Sequence, residues 1–405
     1  MKIGIDISRY IDKSAGVGIY AANLLKYLLK IDADNQYLGY TFFYSCEPEG
    51  WNNPSDAGIF SDYYRSPNIY TNFKLNKINW STNTMKKRWS KASIEGKENI
   101  LGNVDVIHST AFIIPELLKA KLVVTIHDLS FLLFPELHTE VNIRLLMRNL
   151  IYINSRPDKI ICDSEQTKKD VIKYFHVPEE KLIVIYLGVN DSFREEIDSD
   201  FRKKILEKYG LTGKYLLCVA SIEPRKNFLR IINAFSEFIK QEEYKEYSLV
   251  CVGGRGWKNI EIYSLVKQKN LEGKIKFLRS IEECELAPIY NQAEIFLYPS
   301  LYEGFGLPVL EAMACKVPVI TSNVSSLPEV AGNAALMVNP YNEKQIYEAV
   351  LHLVDDENKR KQLINMGLEN IKKFNWENTA KQTLNIYQQI YKKYRNGENI
   401  NEMDS

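Results

Sequence analysis

The chain has 405 residues, of which 45% are hydrophobic and 25% are charged, values close to those of an average soluble globular protein. This length exceeds a single ordinary hydrophobic core, so two domains are expected. The 52 Lys and Arg residues against 51 Asp and Glu residues leave a net charge of +1, which argues against a dedicated nucleic-acid-binding protein. No apolar run approaches the length of a membrane-spanning helix, and residues 1–6 begin directly as a strand, which predicts a cytoplasmic protein without a signal peptide.

The cysteines and histidines follow no pattern of a disulfide framework or a metal site. None of the six cysteines forms a C-x-x-C pair, and Cys162, Cys218 and Cys251 lie in apolar strand-like runs, as buried free thiols do. The five histidines lack the spacing of metal ligands. The sequence therefore predicts reduced cysteines and no bound transition metal.

Both halves of the chain alternate short apolar runs with helical patterns. In the first half we predict strands over residues 2–7, 37–44, 104–108, 122–126, 159–162 and 182–186, and an amphipathic helix over 18–30. In the second half we predict strands over 215–220, 248–252, 275–278, 295–298 and 317–321, and helices over 227–241, from 328 onward and over 376–394. This alternation predicts an α/β fold with parallel sheets covered by helices on both faces.

The domain boundary is expected between residues 188 and 214, where a polar, charged stretch separates two predicted strands. We therefore assign residues 1–190 to an N-terminal Rossmann-like domain and residues 191–375 to a C-terminal one. Residues 395–405 have almost no apolar content and are predicted to be disordered. In doubly wound sheets, ligands bind beyond the carboxyl ends of the strands, where the strand order reverses.

The most informative motif spans residues 298–316. It places Glu303 and Glu311 eight residues apart around a Gly-Phe-Gly turn, with Pro308 where a helix should begin. The amides of residues 304–307 then point to one place and form an anion site at a helix N-terminus. Glu311 lies in the first helical turn, where a carboxylate can accept hydrogen bonds from two vicinal ribose hydroxyls. This combination predicts a site for a nucleotide diphosphate joined to a polyol, that is, a nucleotide sugar.

Two basic residues can supply the charge that a diphosphate leaving group needs. Arg225 and Lys226 follow Pro224 after the predicted strand 215–220 and open the next helix. Arg offers a planar fork and Lys a point charge, so the pair can brace both phosphates. Solvated surface residues are the alternative interpretation of this pair.

These motifs resemble glycosyltransferase family 4, whose members are retaining enzymes with the two-domain GT-B fold. Residues 298–316 resemble the E-x7-E signature of that family, and residues 221–227, Ser-Ile-Glu-Pro-Arg-Lys-Asn, resemble its basic phosphate-binding turn. Residues 252–257, 125–129 and 16–20 resemble its next strand end, its N-domain histidine site and its N-terminal glycine loop. The motifs follow the expected order and are most similar to those of bacterial mannosyltransferases of O-antigen and capsule assembly.

The resemblance implies two Rossmann-like domains that face each other across a cleft, with the helix over 376–394 crossing back to the N-domain. It implies His127 beside the anomeric carbon and Glu303 facing the hydroxyls of the donor sugar, with a nucleophilic Glu303 as the alternative. The predicted catalytic residues are His127, Glu303, Arg225 and Lys226. The predicted donor-binding residues are Gly16, Gly18, Ser221, Arg225, Lys226, Glu303, Gly304, Phe305, Gly306, Leu307 and Glu311.

Gly16 and Gly18 are predicted to lie between the first strand and the first helix, where missing side chains let the backbone approach a ligand. An ordinary tight turn is the alternative, and Ala21 stands where a dinucleotide-binding fingerprint requires its third glycine. On the acceptor side the candidates are Asp128, which could instead orient His127, and His108.

No metal ion or other cofactor is expected. Residues 198–200 spell the D-x-D that binds divalent cations in the other large glycosyltransferase fold, but they lie in the predicted linker without a preceding apolar strand. Arg225, Lys226 and the helix N-terminus are expected to replace the cation, which predicts metal-independent catalysis.

Residues 71–97 form a basic segment that holds seven Lys and Arg residues against one acid, Glu95, with Trp80 and Trp89 between them. Basic segments with Trp lie on anionic lipid headgroups, so peripheral contact with the inner face of the membrane is one interpretation. A solvated loop is the other, and no nucleic-acid binding is expected.

The sequence thus predicts a retaining transferase that moves a hexose, with mannose favoured and GDP-mannose as the leading donor. The acceptor is predicted to be a polysaccharide or a lipid-linked oligosaccharide. The resemblance implies a front-face route in which the departing phosphate takes the acceptor proton. Two alternatives remain open: a GT-B sugar-nucleotide epimerase and an inactive carbohydrate-binding scaffold.

Overall fold

The computed structural model describes residues 1–8, 15–43, 71–81, 103–112, 120–194, 197–279 and 281–403. The chain divides into two compact units. The first unit consists of Met1–Leu129, Arg144–Leu187 and Trp376–Ser405, and the second consists of Ser130–Ile143 and Gly188–Asn375. The second unit therefore begins three residues before the predicted start at 191, and it also includes a short segment from the first half of the chain.

The described part of the first unit contains a sheet of seven parallel strands. Numbered along the chain, they are β1 (Lys2–Asp6), β2 (Gln36–Phe43), β3 (Phe73–Ser81), β4 (Val106–Ser109), β5 (Lys121–Ile126), β6 (Lys159–Cys162) and β7 (Leu182–Val184). Their order in the sheet is β3-β2-β1-β4-β5-β6-β7. The strand order reverses between β1 and β4, where Ile3 pairs with Val106 and Ile5 with His108.

The described part of the second unit repeats this plan with six parallel strands. They are β8 (Tyr215–Val219), β9 (Ser248–Val252), β10 (Ile275–Leu278), β11 (Ile295–Tyr298), β12 (Val319–Ser322) and β13 (Ala335–Val338). Their order is β10-β9-β8-β11-β12-β13, so the reversal lies between β8 and β11. This is the order of doubly wound nucleotide-binding sheets, and it places a ligand site beyond the carboxyl ends of β8 and β11.

Helices connect these strands. In the first half of the chain they are α1 (Ala15–Ile31), α2 (Ser130–Leu133), α3 (Glu140–Leu150) and α4 (Glu165–Phe175). In the second half they are α5 (Ser199–Lys208), α6 (Phe228–Phe238), α7 (Ile260–Gln268), α8 (Glu283–Asn291), α9 (Leu307–Ala314), α10 (Leu327–Ala331), α11 (Glu343–Asp355), α12 (Glu357–Asn370) and α13 (Trp376–Met403). No helix among the described residues is long and apolar enough to cross a membrane.

Helix α6 shows how the sequence builds the core of the second unit. Its apolar residues Phe228, Ile231, Ile232, Phe235 and Phe238 recur at helical spacing, and each is at least 99% buried. They pack with the apolar strands β8 and β9, which are buried along most of their length. Parallel strands that are covered on both faces read as continuous apolar runs, which explains why these strands were predicted with nearly their observed bounds.

The structure corrects four predictions about the elements. Gly16 and Gly18 lie in the first turn of α1, which begins at Ala15, and not in a loop between a strand and a helix. The basic segment begins with the edge strand β3, and neither β3 nor the edge strand β13 was predicted. Helix α13 runs to Met403, nine residues beyond its predicted end at residue 394. Residues 82–97 of the basic segment lie outside the described residues.

Candidate functional site

The predicted phosphate-binding residues lie at the strand-order reversal of the second unit. Arg225 and Lys226 end the short 3₁₀ helix Pro224–Lys226, which follows β8. Glu303 lies in the loop that follows β11, the neighbour of β8 in the sheet. Since parallel strands end at the same edge, these three side chains come together although 78 positions separate Arg225 from Glu303 in sequence.

The three side chains form two short ion pairs. Arg225 Nη1 donates to Glu303 Oε2 at 2.7 Å, and Lys226 Nζ donates to Glu303 Oε1 at 2.6 Å. A second carboxylate joins them, because Arg225 Nη2 donates to Glu223 Oε1 at 2.9 Å. Lys226 Nζ also donates to the Tyr298 hydroxyl at 2.8 Å. We call Glu223, Arg225, Lys226 and Glu303 the switch-point cluster; it holds two cations and two carboxylates.

The low exposure of this cluster strengthens the interactions between its charges. Glu303 is 5% exposed and Glu223 is fully buried. Burial alone would raise the pKa of Glu303, but the charges of Arg225 and Lys226 outweigh it and lower that pKa to about 2. Glu303 is therefore ionised at neutral pH, and each of its two oxygens accepts a hydrogen bond from a cation.

The backbone beneath the cluster is fixed by glycine packing. The loop after β9 lies on the loop after β8, with the Ile222 amide donating to the Gly254 carbonyl and a β-bridge between Ile222 and Arg255. A Cβ atom on Gly253 would lie 2.0 Å from the Ala220 carbonyl oxygen, and one on Gly256 would lie 2.6 Å from the Ile222 oxygen. The glycines of residues 252–257 therefore allow the close backbone approach that sets the position of the basic turn.

Helix α9 begins as the sequence predicts. Gly306 caps it in the left-handed conformation at φ +111°, and Pro308 lies in its first turn. A Cβ on Gly306 would lie 2.7 Å from the Leu327 side chain, so only glycine suits this position. The Ser326 hydroxyl, which is buried, donates to the carbonyls of Glu303 and Phe305 and holds the turn in place.

Glu311 lies in the interior of α9 and is 7% exposed. The Tyr290 hydroxyl, from helix α8, donates to Glu311 Oε2 at 2.9 Å. Burial raises the pKa of Glu311 to about 7, since the Tyr290 hydrogen bond lowers it by less than burial raises it. Within one motif, the two glutamates are thus held in opposite states: Glu303 is fixed as an anion, whereas Glu311 titrates near neutral pH.

His127 lies in the first unit, at the carboxyl end of β5. Its Nδ1 lies 2.6 Å from Asp163 Oδ2, after β6, and its Nε2 lies 2.8 Å from the Thr110 carbonyl oxygen, after β4. A carbonyl oxygen and a carboxylate both accept, so both ring nitrogens donate and His127 is an imidazolium that faces Asp163. Burial lowers the pKa of His127, but Asp163, the hydrogen bond to Thr110 and the half-buried Asp128 together raise it overall.

His108 does not serve the acceptor side as predicted. It is fully buried, with Nδ1 2.6 Å from the Tyr387 hydroxyl and Nε2 2.7 Å from the Thr125 hydroxyl. Burial, assisted by the charge of His127, lowers the pKa of His108 to about 3, so it is neutral. The structure therefore corrects this prediction: His108 joins β4, β5 and α13 inside the core and exposes no atom to a ligand.

The remaining predicted residues are distributed over both units. Ser221 is partly exposed in the loop that follows β8, two residues before Glu223 of the switch-point cluster. Gly16 and Gly18 lie within α1 of the first unit, whereas the switch-point cluster lies in the second unit. Asp198 caps helix α5 through hydrogen bonds to the amides of Asp200 and Phe201. Among the described residues there is no group of three or more His, Cys, Asp or Glu side chains that could hold a metal ion.

The sequence alone did not point to four residues that complete these sites. Glu223 and Tyr298 contact the cations of the switch-point cluster, Tyr290 holds Glu311, and Asp163 holds His127. Glu223 and Tyr298 both lie inside motifs that were recognised. Glu223 follows the buried strand β8 and Tyr298 ends the buried strand β11, and these positions could have marked them as site residues. Tyr290 reads as an ordinary core residue of a helix, and nothing in its sequence context marks it.

Comparison with known proteins agrees with the fold. The family described as Glycosyltransferase Family 4 matches residues 14–193, and the family described as Glycosyl transferases group 1 matches residues 201–369. O-antigen chain mannosyltransferase B of Escherichia coli is 33% identical over 283 residues, which cover 70% of this chain and 74% of that protein. The serotype-specific mannosyltransferase WbdA of Escherichia coli is 32% identical over 64% of this chain, which spans about a third of its length (32%).

Among solved structures, Alr3699/HepE from Anabaena, crystallised in complex with UDP-glucose, has a TM-score of 0.71 at 15% identity and covers 96% of this chain and 100% of that one. The two parallel sheets and their helices thus form the GT-B fold. The chain belongs to glycosyltransferase family 4, and it is a glycosyltransferase. The predicted family, enzyme class and fold are confirmed.

Proposed function

We propose that this enzyme transfers a hexose, with mannose favoured, from a nucleotide sugar to a polysaccharide or a lipid-linked oligosaccharide. The anomeric configuration is retained and no metal ion takes part. The switch-point cluster carries this proposal, because two cations whose side chains are only 12% and 10% exposed lie at the carboxyl ends of β8 and β11 and suit a diphosphate. The mannosyl group is favoured because both curated relatives described above are named mannosyltransferases.

The cluster is electrically balanced without a ligand, with two cations against Glu223 and Glu303. A diphosphate brings further negative charge, which Arg225 and Lys226 can accept only by sharing their N–H groups between Glu303 and the phosphate oxygens. Lys226 has three donors and Arg225 has five, so each can bind a phosphate while it keeps its carboxylate. The two cations then stabilise the charge that develops on the leaving phosphate, which is the role that a divalent cation has elsewhere.

Glu303 is proposed to bind hydroxyls of the donor sugar and not to attack the anomeric carbon. Both of its oxygens are paired with cations, and a carboxylate whose pKa is lowered to about 2 is a weak nucleophile. The front-face route needs no protein nucleophile. In it the bond between the anomeric carbon and the phosphate oxygen breaks, the acceptor oxygen bonds to the same face of that carbon, and the phosphate takes the acceptor proton.

His127 is proposed as a further catalytic residue that contacts the donor sugar, as the family resemblance implies. Its imidazolium state supports a role as a fixed positive charge and argues against a role as a general base, since both ring nitrogens carry protons. Asp128 remains a proposed acceptor-side residue. Glu311 is proposed to accept hydrogen bonds from the ribose hydroxyls through the oxygen that Tyr290 does not hold.

The test is thermal stabilisation of the purified chain by a panel of GDP-, UDP-, ADP- and dTDP-sugars, with and without EDTA. We expect one nucleotide class, GDP-mannose first, to raise the melting temperature of the wild type and not that of Lys226→Ala. Lys240→Ala serves as the matched control, because Lys240 forms only a surface ion pair with Glu237. With the donor identified, NMR of the transfer product then reports whether the new glycosidic bond has the configuration of the donor.

Each outcome decides a part of the proposal. If the donor stabilises wild type and Lys226→Ala equally, the diphosphate does not bind at the switch-point cluster. If EDTA abolishes the stabilisation, donor binding requires a metal ion and metal independence is contradicted. Isomerisation of the donor without an acceptor would replace the transferase by an epimerase. An inverted product would overturn the front-face route while leaving the donor site in place.

A further inference from the structure

A series of buried hydrogen bonds runs through the first unit from the last helix, α13, to the first helix, α1. The Tyr387 hydroxyl of α13 lies 2.6 Å from His108 Nδ1, and His108 Nε2 lies 2.7 Å from the Thr125 hydroxyl. The Thr125 hydroxyl lies 2.9 Å from the Tyr20 hydroxyl of α1. Each of these side chains is at most 1% exposed. We call Tyr387, His108, Thr125 and Tyr20 the buried network.

Each member of the buried network holds the next one. His108 is neutral, so one of its ring nitrogens donates a hydrogen bond and the other accepts one. A continuous order of donation therefore runs either from Tyr387 to Tyr20 or in the opposite direction. Removal of one hydroxyl deprives its neighbours of a buried hydrogen-bond partner, which is unfavourable and lets those side chains move.

The buried network ends against the ring of His127. That residue directly follows β5 and stands two positions after Thr125, so alternation along the strand places both side chains on the same face of the sheet. The Tyr20 ring lies edge-on to the His127 ring, with 5.1 Å between the ring centres and 78° between the ring planes. Tyr20 therefore packs against His127 while its hydroxyl is anchored by Thr125.

We propose that the buried network positions His127, and that Tyr387 of α13 is a positioning residue for the transfer reaction. Hydrogen bonds to Asp163 and to the Thr110 carbonyl hold the two ring nitrogens of His127. The Tyr20 ring, packed across it, restricts how far the imidazole plane can tilt. The inference rests on the proposed function, in which His127 contacts the donor sugar.

The buried network also suits a charged His127, because its own histidine is neutral. His108 bonds two hydroxyls, and burial together with the charge of His127 lowers its pKa. His127 bonds the carboxylate of Asp163, which raises its pKa. The partners of the two imidazoles thus set their different charges. Hydroxyls anchor Tyr20 without placing a second buried positive charge near His127.

Thr125 lies in the middle of the buried network and provides the sharpest test. Thr125→Val keeps a branched side chain but removes the hydroxyl, whereas Thr125→Ser keeps the hydroxyl. We expect Thr125→Val and Tyr387→Phe each to lower kcat for the hydrolysis of GDP-mannose by about tenfold, since a small misplacement of a catalytic group slows the reaction. KM should be unchanged, because the diphosphate is proposed to bind in the second unit. Thr125→Ser should restore most of kcat.

The matched control is Thr379→Val, the same chemical change on α13. The Thr379 hydroxyl donates to the Tyr186 carbonyl and is not part of the buried network. This variant should lose a similar amount of stability, measured by urea unfolding, but should keep the wild-type kcat. Tyr387→Phe is the milder of the two network changes and decides the test if Thr125→Val does not fold.

A second measurement does not depend on activity. With isotopically labelled ring nitrogens, NMR reports the protonation and surroundings of each of the five histidines. The signals of His127 are assigned by their loss in His127→Ala. We expect them to shift in Thr125→Val and in Tyr387→Phe, and to stay in place in Thr379→Val.

The outcomes separate this inference from the proposed function. If His127→Ala keeps the wild-type kcat, the proposed role of His127 is wrong; shifted His127 signals would then still support the positioning of its ring, and unchanged signals would overturn it. If His127→Ala loses activity while Thr125→Val and Tyr387→Phe keep the wild-type kcat, the buried network is only part of the core and the inference is overturned. Equal losses in Thr379→Val would also overturn it, because they would show a general loosening of α13.

Discussion

Both units hold a buried ion pair at the carboxyl ends of parallel strands, but the two pairs differ in what they leave available. In the second unit, Arg225 and Lys226 share Glu303, and Lys226 Nζ uses two of its three N–H donors, for Glu303 and Tyr298. In the first unit, His127 has both nitrogens bonded to its own unit, by Asp163 and Thr110. Under the proposed function, Lys226 can therefore offer its third N–H to the diphosphate, whereas His127 acts on the donor sugar as a fixed positive charge.

The two pairs also differ in their response to pH. Arg225 is always charged and the pKa of Glu303 is lowered to about 2, whereas burial and the charge of Arg225 lower the pKa of Lys226. The pKa of His127 is raised, because Asp163 and the hydrogen bond to Thr110 outweigh burial. The comparison predicts that ligand binding depends mainly on the second unit, and that Lys226 loses its charge more easily, and His127 less easily, than the same side chain in water.

The largest effect is expected from Lys226→Ala. This change removes a buried charge that faces the proposed diphosphate, so kcat/KM should fall by about a hundredfold or more. It also leaves Glu303 with Arg225 as its one cationic partner, which should lower the free energy of unfolding as well. Steady-state kinetics and urea unfolding measure the two effects. If Lys226→Ala and the surface control Lys240→Ala have equal kcat/KM, Lys226 does not contribute to ligand binding. The prediction that binding depends mainly on the cations of the second unit is then wrong.

A second effect is expected in the first unit from Asp163→Asn. His127 has a pKa raised by folding, and such a group stabilises the fold fully below its unfolded pKa, near 6.5, and loses that contribution as pH rises through its folded value. The variant should therefore be less stable than wild type by about 1–3 kcal/mol at about pH 6, and by less at about pH 9. Urea unfolding at both pH values measures this difference.

The control for Asp163→Asn is Glu377→Gln, which removes a surface helical ion pair with Lys381 in the same unit. It should change the stability little at either pH, because exposed pairs contribute little. A stability loss in Asp163→Asn that is the same at both pH values would show that Asp163 acts through packing and not through the charge of His127.

The third effect concerns Glu303 and Glu311 of the second unit, whose pKa values are shifted in opposite directions. The pKa of Glu311 is raised to about 7, and only its ionised form accepts both hydrogen bonds from a ribose diol. Donor affinity should therefore rise by up to about tenfold per pH unit below pH 7 and level off above it. Calorimetric titration of the wild type and of Glu311→Gln measures this. A wild-type profile as flat as that of the variant would show that Glu311 does not titrate in this range.

The fold could be predicted from the sequence because most of the strands are short, largely apolar runs. The strands β6, β9, β10 and β11 were predicted with their observed bounds. The edge strand β3 was missed, since residues 73–81 alternate apolar with Lys and Asn residues and read as part of a basic loop. The bounds of α1 were also wrong, because glycines in a first helical turn read as a loop.

The site was predictable only in part, because motifs name residues but not their partners. Arg225, Lys226 and Glu303 were each singled out, yet the sequence assigned the two cations to phosphate and did not predict their ion pairs with Glu303. Such contacts depend on which strands are neighbours, here β8 and β11. His108 was misjudged for the same reason: a histidine at a strand end can face a ligand or, as here, a tyrosine from α13.

The smallest effect is expected from Tyr290→Phe, which removes the hydroxyl that donates to Glu311 Oε2. That hydrogen bond lowers the pKa of Glu311, so its loss should move the midpoint of the donor-binding profile to higher pH by less than about one pH unit. The matched control is Tyr215→Phe, which removes an equally buried hydroxyl that donates to the Ile289 carbonyl. Both variants should lose a similar amount of stability, but only Tyr290→Phe should shift the midpoint. A shift in both would mean that the profile reports general loosening of the second unit, whereas a shift in Tyr290→Phe alone assigns the titration to Glu311.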